Sequence, residues 1–99
     1  MKRPSSAARE AAEMLAIQAL SFIAEEPARL NAFLGASGLA LAHLRESASD
    51  PGFLAGVLDH MLADESLVMA FAYAAAIDPA DIARACAALA GRRWERDAP

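Results

Sequence analysis

The stretch that decides the fold is Ser66-Leu67-Val68-Met69-Ala70-Phe71-Ala72-Tyr73-Ala74-Ala75-Ala76-Ile77, a run with no charged residue. At about 100° per residue, Leu67 and Phe71 face one way, and Met69 and Tyr73 face nearly the opposite way. A helix that is apolar all round is either buried on every side or shared with a partner. In one small domain this reading puts 65–77 at the centre of a helical bundle. A buried Tyr73 hydroxyl would then need a hydrogen-bond partner or an exit to water.

The segments outward from this run are helical too. Upstream, Asp50-Pro51 is a cap followed by proline at the first helical position. It opens a helix to about Ala63, with Phe53, Leu54, Val57, Leu58, Met61 and Leu62 on one half of the wheel. Asp64 is placed to cap the next helix, with one continuous rod over 51–77 as the alternative. Downstream, Asp78-Pro79-Ala80-Asp81 opens the last helix, which carries Ile82, Cys86 and Leu89 and is expected to stop at Gly91. Near the start, Ser5 or Ser6 can cap a helix running from Ala7 to about Glu25, with Ala12, Leu15, Ala19, Phe22 and Ile23 inward. Met14 and Ile17 lie on its polar side, either as ordinary scattered surface hydrophobes or as part of an oligomer contact. Glu26-Pro27 starts a short helix to about Ala36, closed by Gly38. Leu39 to Ala48 reads as another, with Leu41 and Leu44 as its apolar pair.

Composition agrees with this reading. Of 99 residues, 57% are hydrophobic, but 27 are alanine, which reports helix forming and close helix approach more than greasiness. The only β-branched residues are Val57, Val68, Ile17, Ile23, Ile77 and Ile82, too few for a substantial sheet. No uncharged stretch reaches the roughly 18 residues a membrane span needs. The expected organisation is a disordered segment 1–6, one all-α domain over 7–91 built from five to six short helices, and a flexible charged tail 92–99 in which Trp94 could fold back. Residues 26–44 echo 64–82 at an offset of 38, pairing Leu30 with Val68, Phe33 with Phe71, Leu39 with Ile77 and Leu44 with Ile82. A helix-pair duplication and chance likeness explain this about equally well.

The net charge of −4 hides an asymmetry, because residues 10–91 carry three arginines against eleven acids, while both ends are basic. An acidic body repels nucleic acid and anionic membrane. Residues 33–47 have a superficial helix-turn-helix outline, but Arg45 is the one strong donor there and Glu46 opposes it. A nucleic-acid-binding regulator is therefore the alternative reading and not the leading one.

Catalytic chemistry finds little support. His60 with Asp64 or Asp59 gives at most two ligands on one helix, and His43 would have to arrive from another; no metal is expected. Cys86 sits among alanines, as a packed inert thiol would. As a lone cysteine it forms no internal disulfide. Asp50, Asp64 and Asp78 are explained as caps, and the five glycines fit no phosphate-binding loop. No catalytic residue and no cofactor are expected.

Three stretches carry a resemblance. They are Ala16-Ile17-Gln18-Ala19-Leu20-Ser21-Phe22-Ile23 with Pro27-Ala28-Arg29-Leu30; Phe33-Leu34 through Gly38-Leu39 to Leu44-Arg45; and Asp50-Pro51-Gly52-Phe53-Leu54-Ala55-Gly56-Val57-Leu58-Asp59-His60 running into Ala63-Asp64-Glu65-Ser66-Leu67. In this order, over roughly residues 10–91, the chain resembles the domain of unknown function 3572 family of small alphaproteobacterial proteins. The resemblance implies a bacterial, cytoplasmic, all-helical domain and brings no activity, cofactor or site residue. The expected function is a non-enzymatic protein–protein interaction module. Its candidate surface is Met14, Ile17, Met69 and Tyr73, and its partner is an unidentified protein or a second copy in a homodimer.

Overall fold

Asp50 and Pro51 open the helix on which the others pack. In the computed structural model, which describes residues 6–97 and the side chains of 7–90, Asp50 accepts a hydrogen bond from the Gly52 N–H at 3.0 Å. The helix that follows, α4 (Pro51–Leu62), buries Leu54, Ala55, Val57, Leu58 and Met61. The long helices α1 (Ser6–Ala24) and α6 (Pro79–Asp97) pack against it and against each other. Ala12, Ala16 and Ala19 of α1 are buried beside Leu20 and Ile23, and α6 contributes Ile82, Ala85, Cys86 and Leu89. Small side chains at the crossings let these helices approach closely, so large residues from each fill one shared core.

Two 11-residue helices flank this trio: α2 (Pro27–Ser37) and α5 (Glu65–Ala75). They are offset by 38 residues and share an outline. Each begins after an extended acidic residue, Glu26 or Asp64, and each ends on a left-handed one, Gly38 (φ 71°) or Ala76 (φ 55°). The sequence echo is thus structural over its first half. It fails in the second half, where α2 leads to a 3-10 turn (Leu41–His43) and the single-turn α3 (Leu44–Ser47), while α5 leads to the 19-residue α6. All described residues are helical or connecting, and the Cα radius of gyration of 13.1 Å is that of one domain of this length. No single helix among them is long and apolar enough to cross a membrane.

Four expectations are corrected. First, 65–77 is not the centre of the bundle. The Asp64 carboxylate accepts the Leu67 N–H at 3.2 Å and separates α5 from α4, so 51–77 is two helices. After Ala76 the chain bends by 104° into α6. Bracketed in this way, α5 lies on the outside of α4 and α6, burying Leu67, Val68, Phe71 and Ala72 on one face only. Second, 39–48 is not a regular helix, because Ala40 stands where a capping side chain is needed and the first turn stays 3-10. Third, Leu41 does not pair inward with Leu44; it is exposed, while Leu44 packs on the core. Fourth, Gly91 does not stop α6, which continues to Asp97. The cap assigned to Ser5 or Ser6 and the packing of Trp94 lie outside the described residues.

Candidate functional site

The residues expected to form an interaction surface are all exposed: Met14 by 64%, Ile17 by 45%, Met69 by 53% and Tyr73 by 90%. They form two pairs on different helices. Met14 and Ile17 lie on α1, away from the face that buries Ala12, Ala16 and Ala19. Met69 and Tyr73 lie one turn apart on α5, opposite the face that packs Leu67 and Phe71. The feature singled out at the start, large side chains on both sides of α5, is therefore real, but its outer side faces water.

Beside that outer face runs a groove that sequence reasoning missed. One wall is α2, and the other is α4 continuing into α5. A hollow of about 420 Å³ lies between Phe33, Ala36 and Ser37 on α2 and Phe53, Gly56 and Asp59 on α4. A second, of about 590 Å³, lies between Ala28, Arg29 and Ala32 on α2 and Ala63, Asp64, Ser66 and Ala70 opposite. His60 borders both. The imidazole sits edge-on to Phe33 with ring centroids 5.2 Å apart, and Phe53 meets the same ring from another side at 5.9 Å. The groove exists because small residues, Ala32 and Ala36 against Gly56 and Ala63, line walls held apart by the buried Phe33. Glycine and alanine facing each other across an aromatic were the available signal, but it is weak in a chain this rich in alanine.

The upper end of the groove is fixed by aromatic contacts. The Arg29 guanidinium lies 4.2 Å above the Phe22 ring and also pairs with Glu26 at 3.6 Å. Phe22 in turn meets Phe71 at 5.5 Å, so α1, α2 and α5 converge at one place. On the other side of α4, the buried Cys86 thiol donates to Asp59 Oδ1 at 3.3 Å and towards the Ala55 carbonyl at 3.8 Å. The sulfur thus joins α6 to α4 within the packing. His43 lies exposed on the 3-10 turn, and Asp64 is engaged as the cap of α5. Asp78 likewise accepts the Ala80 N–H at 2.9 Å at the start of α6. Among the described residues no three His, Cys, Asp or Glu side chains are grouped to hold a metal ion.

The helix-turn-helix outline of 33–47 has a turn at Gly38, but its second element is a 3-10 turn and one turn of α-helix. A recognition helix must present several side chains along a groove of DNA, and this element is too short to do so.

No match appears among curated proteins or among solved structures. The family model described as "Protein of unknown function (DUF3572)" matches residues 9–92, the whole helical body from α1 into α6, and the chain belongs to that family.

Proposed function

We propose that the protein is a non-enzymatic protein–protein interaction module that meets its partner through the outer face of α5. One observation carries this reading. Tyr73, nine-tenths exposed, and Met69, half exposed, stand side by side on a helix with no charge from Ser66 to Ala75. Aromatic residues and methionine are enriched at interfaces, and an exposed aromatic anchored on a rigid helix contributes contact area at low entropic cost. The groove beside this face adds concave surface.

The test is site-specific photo-crosslinking in cells, with a benzophenone amino acid in place of Tyr73 and, as a control, in place of the exposed Ala83 on α6. A discrete adduct from position 73 and none from position 83 is the expected result. No adduct of any size from position 73 overturns the reading.

A further inference from the structure

We infer that the partner of the α5 face is a second copy of this chain, bound about a two-fold axis so that the Met69–Tyr73 ridge of each protomer fills the α2–α5 groove of the other. The inference rests on the interaction-module reading and goes further by naming the occupant. Its first support is the juxtaposition of ridge and groove. Ser66, Met69, Ala70 and Tyr73 follow the i, i+3, i+4, i+7 spacing and so form one strip of α5. Ser66 and Ala70 in that strip line the 590 Å³ hollow, so the strip is at once the ridge and the edge of the groove. A projection that borders a depression on one face is self-complementary under two-fold rotation, because each copy presents its ridge to the other's groove. Because both lie on one face, the contact closes as a dimer and does not propagate into a filament.

The second support is chemical fit. A buried tyrosine needs a partner for its hydroxyl. The groove offers His60 and the Asp64 carboxylate, beside Arg29 and the apolar Ala28, Ala32, Ala63 and Leu67. Asp64 accepts the Leu67 N–H through Oδ1, and a carboxylate has capacity for further donors. The third support is size. A tyrosine this exposed brings roughly 200 Å² to a contact. With Met69 and the reciprocal half, only a few side chains of each copy take part, which places the contact at the small end of protein interfaces, where weak and transient complexes lie. The dimer is accordingly a weak, reversible one.

The experiment is sedimentation equilibrium of the full chain from about 1 to 500 μM, a range over which weak dimers assemble. Wild type is expected to pass reversibly from monomer to dimer. Tyr73→Ala removes the ridge, and Ala32→Trp fills the groove at an exposed position of α2. Each is expected to weaken self-association at least about tenfold, one factor of ten being 1.4 kcal/mol, while retaining helical circular dichroism. Ala83→Trp on α6 leaves association unchanged. An equimolar mixture of the two weakened variants regains a heterodimer, because the intact ridge of Ala32→Trp meets the open groove of Tyr73→Ala. Wild-type dimers indifferent to Tyr73→Ala, or variants that do not complement on mixing, overturn the proposal. So does a wild type that stays monomeric throughout; if position 73 then still crosslinks to a different protein, the interaction module stands without the homodimer, and if it crosslinks to nothing, both fall.

Discussion

Two residues at equivalent places carry the same backbone conformation at different cost. Gly38 and Ala76 both close an 11-residue helix in the left-handed region, with φ of 71° and 55°. Glycine adopts this region freely, whereas an L-residue with a Cβ is strained there by about 1–2 kcal/mol. A methyl group at Gly38 would meet nothing within 4 Å, so the cost of Gly38→Ala is all in the backbone and should be about 1 kcal/mol. Ala76→Gly runs the other way. It relieves the strain and gives back about 0.4–1 kcal/mol to the unfolded chain, for a net stabilisation of roughly 0.5–1 kcal/mol. In a domain of this size that raises Tm by about 3–6 °C. Thermal unfolding of the two variants followed at 222 nm should therefore move in opposite directions, and a lower Tm for Ala76→Gly would show that the Ala76 conformation is unstrained. Sequence reading found Gly38 as a cap because glycine announces one. Alanine announces nothing, and the 38-residue echo, which sets Ala76 opposite Gly38, was the one route to it.

At the scale of elements, the boundaries that were legible are those written in side-chain chemistry. Asp50, Asp64 and Asp78 each accept a backbone N–H at the start of α4, α5 and α6, as their positions before helical runs implied. The boundaries that were not legible lack such a group. Ala40 cannot cap, so 39–48 forms a 3-10 turn and one α-turn where periodicity alone predicts a helix. Leu41 and Leu44, three apart, suit either geometry, and periodicity could not show that only Leu44 reaches the core. Asp64 does the most to shape the molecule, since its cap ends α4 as a separate rod and lets α5 swing outward. Asp64→Ala should cost about 1 kcal/mol and Asp64→Asn much less, because asparagine caps nearly as well. Urea unfolding midpoints would check this. Equal losses in both variants would mean that the carboxylate's charge, and not its cap, holds the junction.

For the whole molecule, the instructive error is the placement of α5. An all-round apolar helix implies burial, and the inference held for only one side of it. Large residues on α1, α4 and α6 already fill a closed core, leaving α5 to cover it from outside with Leu67, Val68, Phe71 and Ala72. An element packed on one face has fewer contacts to lose on opening than one packed on several, and such elements exchange their amides through local unfolding well below the global free energy. Hydrogen exchange should therefore rank the helices. Amides in the middle of α4, around Val57 and Leu58, which are fully buried, exchange only on global unfolding. Those of α5 around Ala70 and Phe71 should exchange at least about tenfold faster in the dilute protein, an opening free energy lower by 1.4 kcal/mol or more. If α5 docks on a second copy, its protection must also rise with protein concentration, by the mass-action term that stabilises any bound element, while that of α4 changes little. Exchange read by mass spectrometry at about 2 and 200 μM, a hundredfold change in protein concentration, separates the two effects. Equal protection of α4 and α5 at the lower concentration would mean that α5 belongs to one cooperative unit with the core. A ranking as expected, with α5 slowed at the higher concentration, would locate the uncovered side of the Ser66–Ile77 run as the place where association stabilises this fold.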